Sequence, residues 1–453
     1  MKATEFDYTF VFEPIQNQST QVTLLTHLED KRDYFTVSIN DNALSINGLS
    51  TVPSISADLL DLAIAIHAVD RLIKRHTETT LSFRVELPVR NFDIFTRSDV
   101  CDLLTQVLEW YTSDRWYLEF SKREVLGRFV EIQPQLPWRG LPPKNIEVAL
   151  WSGGLDSLSG LYTRLFANTE SYHILVGTGS NTYIHKQQKQ IADIIDQSIS
   201  NRTSLIQIPY SWYNTPSLEK NFYQRSRGLI FMLIGAACAH HMGQSTLFIY
   251  ENGVGAINLP YLKAQVGLDQ ARSVHPLSLL YVSDLVTSIL DSPFRVINPF
   301  WLWTKAQMVE SLINSSGKDL IPLSSSCDRI HRLDEGVIQC GVCTSCLLRR
   351  QSIGALGVDD STSYDNESIN KNGSHLSAMQ YQVNRIRKLL QQANPWVSFS
   401  REYYELDDIV DQISLQTKQE IPYLRRQIIQ LYSKYVDEWK VFEEYIEKTL
   451  QVV

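Results

Sequence analysis

The chain has 453 residues, of which 43% are hydrophobic and 20% charged, with a formal net charge of -8 and a pI of about 5.7. This composition is typical of a folded globular protein and excludes the disordered and fibrous classes, and the length predicts two or three domains. The acidic balance disfavours nucleic acid as a partner. No secretory pattern opens the chain, and its longest apolar run, residues 228–239, is shorter than the about 20 residues that cross a bilayer. We therefore expect a cytoplasmic protein with no membrane partner.

The first predicted region, residues 1–140, mixes β patterns with amphipathic helical patterns. Strands are predicted at residues 6–12, 21–25, 80–87 and 116–120, and helices at residues 57–72 and 98–110. Mixed patterns of this kind predict an α+β accessory domain, which is a candidate for partner binding. A Pro-rich segment at residues 134–143 predicts a linker to the next region.

The second region, residues 144–358, alternates strand and helix patterns. Strands are predicted at residues 146–151, 172–177, 204–209 and 246–250, with helices at residues 157–166, 184–199 and 227–241. Such alternation predicts an α/β domain with a parallel sheet, whose ligands bind beyond the carboxyl ends of the strands. After a polar segment at residues 360–374, the third region, residues 375–453, predicts a helical C-terminal extension that ends in a long helix.

The string SGGLDS follows the first strand of the α/β region and opens its first helix. Two glycines let the backbone turn sharply around an anion, and the free N–H groups of the helix favour phosphate. The acid within the string predicts a bridging Mg²⁺. A plain Gly-Gly turn is the alternative, but the complete string in this position favours a phosphate loop without the lysine of a Walker motif. The predicted loop residues are Ser152, Gly153, Gly154, Leu155, Asp156 and Ser157.

Four of the six cysteines cluster near the end of the α/β region, namely Cys327, Cys340, Cys343 and Cys346. In a reducing compartment this clustering indicates a metal rather than disulfides. Four thiolates fill the tetrahedral shell of zinc and leave no open position, which predicts a structural zinc site. An iron–sulfur cluster is a minor alternative, and buried cysteines that act only as small hydrophobes are the other.

The string SGGLDS resembles the SGGxDS motif of the PP-loop ATP pyrophosphatases. Together with CGVCTSCLLR at residues 340–349, it is similar to QueC, the 7-cyano-7-deazaguanine synthase family. The likeness spans about residues 146–357, although Gly228 stands where that family carries an asparagine. It implies a Rossmann-like, adenine nucleotide α-hydrolase fold with a zinc loop, and cleavage of ATP to AMP and pyrophosphate while a substrate carboxylate is adenylated. It also implies adenine contacts near Leu150, Val176 and Gly177.

The same resemblance suggests roles for residues between the two motifs. Lys305, in a Thr-Lys-Ala string, and Arg227 are candidates to stabilise negative charge during ATP cleavage, beside Asp156. Glu251 and Asn252 are candidates to hold a heterocyclic base, the alternative being a turn made by Asn-Gly. Two more residues, Arg272 and His275, are candidates to contact a substrate carboxylate, the alternative for the histidine being a structural role before a proline.

The length of the chain and the stretch DLLDLAIA at residues 58–65 resemble QueC-like proteins of bacterial antiphage systems, with the Qat system as the nearer picture and type IV CBASS as the runner-up. The strings ENG at residues 251–253 and RSVHP at residues 272–276 are similar to that branch as well. This likeness implies a 7-carboxy-7-deazaguanine substrate. The acceptor is then either ammonia, with formation of an amide or nitrile, or an amine of a partner protein from the same system. Two alternatives stay open: a tRNA-modifying PP-loop enzyme, and an ATP-binding component of a defence complex that does not turn ATP over.

Overall fold

The structure is a computed structural model that describes residues 6–15, 19–47, 51–73, 80–132, 145–199, 201–213, 224–262, 272–328, 339–365 and 373–450. The Pro-rich segment predicted as a linker lies outside these ranges. The strands are β1 Tyr8–Pro14, β2 Ser19–Thr26, β3 Lys31–Ile39, β4 Ser82–Val89, β5 Arg115–Lys122, β6 Ile146–Leu150, β7 Tyr172–Gly179, β8 Thr203–Tyr213, β9 Thr246–Phe248 and β10 Arg295–Ile297.

The helices of the first two regions are α1 Leu44–Asn47, α2 Ser54–Leu72, α3 Phe92–Phe95, α4 Ser98–Thr112, α5 Phe129–Ile132, α6 Leu155–Ala167, α7 Thr182–Ser198, α8 Arg227–His241, α9 Gly253–Ile257, α10 Pro276–Leu290, α11 Lys305–Asn314 and α12 Thr344–Gly354. The C-terminal helices are α13 Ser374–Leu390, α14 Pro395–Glu402, α15 Glu405–Thr417 and α16 Ile421–Leu450. No described helix combines the length and apolar character needed to cross a membrane.

The described strands form one ten-stranded sheet in the order β10-β9-β6-β7-β8-β3-β2-β1-β4-β5. The pairs β10–β9, β9–β6, β6–β7 and β7–β8 are parallel, as are β1–β4 and β4–β5. The pairs β8–β3, β3–β2 and β2–β1 are antiparallel. The predicted α/β class and the parallel sheet of the second region are therefore confirmed.

The first two predicted regions meet at strand β8. Its last residues, Tyr210–Tyr213, pair with Thr36–Ile39 of β3, so β8 runs beyond the predicted end at residue 209. Because β3 supplies hydrogen-bond partners there, the sheet has no open edge at β8. Helices α2 and α8 pack together, and residues of both belong to one hydrophobic core. The carboxylate of Asp70 in α2 also accepts hydrogen bonds from the backbone and hydroxyl of Ser226, at 2.9 and 2.7 Å.

Helix α8 is apolar on nearly every side because it is covered by the sheet, α2 and α10. The C-terminal extension is helical, as predicted. Its four helices bury a separate apolar core that includes Phe399, Tyr432 and Trp439. This core also takes in Ile257 from α9 and Leu347 from α12. The C-terminal helices therefore pack directly on segments that follow β9 and the cysteine cluster.

Candidate functional site

The SGGLDS loop connects β6 to α6 and has the strand–turn–helix geometry that was predicted for it. Gly153 has φ +73°, a conformation that favours glycine. The hydroxyl of Ser152 accepts a hydrogen bond from the Gly154 amide at 3.1 Å and lies 3.0 Å from the hydroxyl of Ser157. Leu155 and Asp156 occupy the first turn of α6, where amide groups lack intrahelical partners. The loop therefore offers hydroxyls, amides and a helix N-terminus on one side, which is suited to an anion.

Polar side chains also follow β9, which is next to β6, and β10, which is next to β9. Glu251 and Asn252 come after β9, and Asn298 follows β10 directly. The side-chain amide of Asn298 donates to the backbone carbonyl of Glu251 at 2.8 Å, while its oxygen accepts from the amide of Phe300 at 3.0 Å. Asn298 thus fastens the two loops together at the carboxyl ends of adjacent parallel strands, where ligands bind in such sheets.

Four of the predicted site residues form a single cluster at this edge. Lys305, at the start of α11, makes an ion pair with Asp156 and is only 6% exposed. The amide of Asn252 donates to Asp156 at 3.2 Å and to Glu251 at 2.7 Å. Burial raises the pKa of Glu251 to about 8, with the negative charge of Asp156 as the second cause and Lys305 acting in the opposite direction. The cluster therefore combines a buried cation with a carboxyl group whose pKa lies above its ordinary value.

Asn252 has a structural task as well. It is the N-cap of α9, and its side-chain oxygen accepts from the Gly255 amide at 2.8 Å. The Asn-Gly pair therefore starts a helix, and the turn considered from the sequence is not the observed structure. Capping uses the oxygen of the side chain and leaves its amide for the carboxylates, so the cap fixes the direction in which that amide points.

The residues predicted to receive adenine lie on β6 and β7. Leu150 pairs with Val176 across the two strands. Gly177 faces Gln188 of α7 so closely that a Cβ atom on Gly177 would lie 2.5 Å from the side-chain oxygen of Gln188. The amide of Gln188 also donates to the carbonyl of Trp151 at 2.8 Å. Gln188 thus ties α7 to the strand end before the SGGLDS loop, a role that the sequence did not reveal.

Arg227 lies at the start of α8 and is exposed. Its guanidinium lies over the ring of Phe231 at 5.2 Å, and its charge is one of the causes, after burial and Arg71, that lower the pKa of His67. Within the described ranges it makes no contact with Asp156 or the SGGLDS loop. Its predicted role in ATP cleavage stays a prediction.

Arg272 and His275 meet at a different place, the junction between α4, α10 and the C-terminal helices. The guanidinium of Arg272 stacks 3.9 Å from the ring centre of Trp110. His275 caps α10 by accepting from the Leu277 amide at 3.3 Å, and burial, followed by the charge of Arg272, lowers its pKa to about 3. Both side chains face the Glu405 carboxylate: a guanidinium nitrogen of Arg272 lies 3.7 Å from one oxygen, and Nε2 of His275 lies 3.9 Å from the other. These contacts match the structural alternative considered for His275, and the described contacts of the two residues do not reach the Asp156 cluster.

The four clustered cysteines come together as predicted, with sulfur atoms all within 4.8 Å of one another. All four are buried. Backbone amides donate to three of the sulfur atoms at 3.4–3.5 Å, and Gly341 has φ +74°, which allows the tight loop between Cys340 and Cys343. Tetrahedral zinc with Zn–S bonds of about 2.3 Å needs sulfur atoms about 3.8 Å apart. The four cysteines therefore fit a closed zinc site. The histidine that lies between them in the sequence, His331, is outside the described residues.

No protein-family model matches the chain, and no curated protein matches it either. The resemblance to the PP-loop and QueC families therefore stays a prediction that depends on the two motifs.

The cysteine cluster and the SGGLDS loop are joined by residues that the sequence did not reveal as functional. Arg349, fully buried in α12, donates to the carbonyls of Ile321 and Ser324 at 2.6 and 3.2 Å. The next residue, Ser325, donates its amide to the carbonyl of Gly153 at 3.3 Å. The hydroxyl of Ser325 is buried and has no hydrogen-bond partner among the described residues. Arg349, just after the cysteine cluster, therefore helps to hold the Ser325 hydroxyl beside the SGGLDS loop. The one signal for Ser325 in the sequence was the run of three serines before Cys327.

Proposed function

We propose that the chain is an ATP-dependent ligase that adenylates the carboxylate of a 7-deazaguanine-type base. The observation that carries the proposal is the placement of the buried Lys305–Asp156 pair directly on the SGGLDS loop. A phosphate-sized anion at this loop would meet the hydroxyls of Ser152 and Ser325, together with the N-terminus of α6. Such a concentration of donors is what cleavage of a nucleoside triphosphate requires.

Each residue of the cluster has a task in this reaction. Asp156, together with phosphate oxygens, would hold Mg²⁺, which neutralises charge on the leaving pyrophosphate. Lys305 stabilises the negative charge that develops as the phosphate bond breaks. Glu251 would offer its carboxyl group to the polar edge of a planar base, and Asn252 would orient that carboxyl group by donating to it. The zinc held by the four cysteines would be structural, since the set leaves no open position.

The proposed chemistry proceeds in two balanced steps. An oxygen of the substrate carboxylate attacks the α-phosphorus of ATP, the bond from that phosphorus to the bridging oxygen breaks, and pyrophosphate leaves. The nitrogen of an amine then attacks the carbonyl carbon of the acyl-adenylate, AMP leaves, and the amine loses a proton. The acceptor is ammonia or an amine of a partner protein from an antiphage system. Only the second acceptor would increase the mass of the partner protein, so mass spectrometry distinguishes them.

The test is to incubate the purified chain with Mg-ATP, 7-carboxy-7-deazaguanine and ammonium and to follow AMP by HPLC. AMP that forms only when the base is present supports the proposal. Lys305→Met should lower the rate by about 10²-fold or more, the loss typical of a removed charge-stabilising group. Lys189→Met is the matched control, because Lys189 is 64% exposed and forms an ion pair with Asp193 on the surface of α7. Bound ATP without AMP would instead indicate a nucleotide-binding component. Binding to tRNA that weakens steeply with salt would indicate a tRNA-modifying enzyme.

A further inference from the structure

The long C-terminal helix α16 touches the candidate site from two directions. A Cβ atom built on Gly253, the residue after Asn252, would clash with the carbonyl of Trp301 and lie 2.9 Å from the Leu431 side chain of α16. Two turns further along the same helix, Glu438 accepts a hydrogen bond from the hydroxyl of Thr304 at 2.5 Å. Thr304 immediately precedes Lys305. Helix α16 therefore braces the loop that carries Asn252 and the helix start that carries Lys305.

Thr304 determines how α11 begins. It is fully buried and is the N-cap of α11, with its hydroxyl accepting from the Gln307 amide at 3.2 Å and its own amide donating to the Gln307 side chain at 2.9 Å. This capping box satisfies two amides of the first turn. Since the hydroxyl oxygen accepts from Gln307, its hydrogen is directed to Glu438. The direction of the hydroxyl, and with it the geometry of the cap, is thus set by a residue 134 positions later in the chain.

Glu438 also interacts with Lys434, Gln351 and Glu310. One of its carboxyl oxygens is buried and makes no hydrogen bond with the described residues. Burial raises the pKa of Glu438 to about 7, while Thr304, Lys434 and Gln351 lower it and Glu310 raises it. A carboxyl group in such surroundings lowers the stability of the fold unless it makes a hydrogen bond, and the Thr304 hydroxyl provides one at 2.5 Å.

We propose that Glu438 is a positioning residue, which holds the Thr304 cap and thereby keeps the ammonium group of Lys305 against Asp156. The catalytic meaning of this contact rests on the function proposed above, whereas the positioning itself does not. The C-terminal extension then contributes directly to the geometry of the site, although the QueC resemblance ends before it.

The test compares four variants of the full chain: Glu438→Ala, Glu438→Asp, Glu438→Gln and Glu444→Ala. Alanine removes the acceptor, and aspartate keeps the charge but withdraws the acceptor by one methylene. Glutamine restores an acceptor oxygen without charge. Glu444 lies on the same helix but is exposed, so its alanine variant is the matched control. Thermal unfolding and zinc content show whether each variant is folded.

Two measurements are made on every folded variant. The first is kcat and KM for AMP release, where Glu438→Ala and Glu438→Asp should lose roughly tenfold in kcat with little change in the KM for ATP, because misplacement of a charge-stabilising group lowers the rate. The second is the extent to which an amine-reactive acylating reagent modifies Lys305, measured by mass spectrometry relative to the modification of the exposed Lys189. Lys305 should be acylated faster in Glu438→Ala and Glu438→Asp than in wild type. Its acylation should stay as slow as in wild type in Glu438→Gln and Glu444→Ala.

The two measurements separate this inference from the proposed function. If the wild-type chain forms no AMP, the function fails, and the acylation of Lys305 still decides whether Glu438 positions it. If wild type forms AMP, and Glu438→Ala and Glu438→Asp keep the wild-type kcat and the wild-type resistance of Lys305 to acylation, the positioning role is overturned while the function stands. Equal damage in Glu438→Gln would also overturn it, because the acceptor oxygen is present in that variant. If alanine prevents folding, the aspartate and glutamine variants give the answer.

Discussion

Removal of the Lys305 charge should lower the free energy of unfolding, and the surroundings of Asp156 determine by how much. In Lys305→Met, the Asp156 carboxylate, whose side chain is 13% exposed, loses its cation and keeps one hydrogen bond, from Asn252 at 3.2 Å. Breaking a fully buried ion pair from one side costs about 3–5 kcal/mol. Because Asp156 is partly exposed and keeps a donor, we expect a loss of about 2–3 kcal/mol in the free energy of unfolding.

Urea unfolding followed by tryptophan fluorescence measures this loss. Lys189→Met breaks an exposed pair and should change stability by less than about 1 kcal/mol. The double variant Asp156→Asn/Lys305→Met carries no uncompensated charge, so it should be more stable than the sum of the single changes predicts, by about 1–2 kcal/mol. A Lys305→Met variant as stable as Lys189→Met, or strict additivity in the double variant, would refute the buried pair as described.

Three further predictions concern pH, metal and chain organisation. Because the pKa of Glu251 is raised from 4.5 to about 8, the folded state binds its proton more tightly than the unfolded state does. That contribution to stability is fully present below about pH 4.5 and is lost as pH rises through 8, so Glu251→Gln should be less sensitive to pH than wild type in unfolding experiments at pH 5–9. Cys343→Ala should lower zinc content by mass spectrometry and lower the unfolding temperature, whereas Cys101→Ser, outside the cluster, should retain one zinc per chain. A chain that starts at residue 145 should aggregate in size-exclusion chromatography, since it exposes the β8 edge and the α8 face; a monomeric folded fragment would contradict the shared core.

Features that depend on neighbouring residues could be predicted from the sequence. The SGGLDS string specifies its strand–turn–helix geometry locally, through a glycine with positive φ and the free amides of a helix start. The cysteine spacing brings three sulfur atoms together within one short loop. The alternation of strands and helices predicted the α/β class because parallel strands are joined by crossover connections, which are usually helices. Lys305, Glu251 and Asn252 were also proposed from the resemblance, and they do lie beside Asp156.

Other features were decided by the tertiary structure alone. The strand pairing of β3 with β8, the contact of Arg349 with the serine run, and the hydrogen bond from Thr304 to Glu438 join residues far apart in the chain. Local pattern shows that a helix has a buried face but not which element covers it, because many faces of similar apolar character compete for the same burial. Arg272 and His275 illustrate this limit: their sequence setting suggested substrate contacts, and only the fold shows that they pack against Trp110 and Glu405. The sequence by itself therefore determined the chemistry available at each loop, while the fold decided which loops could act together.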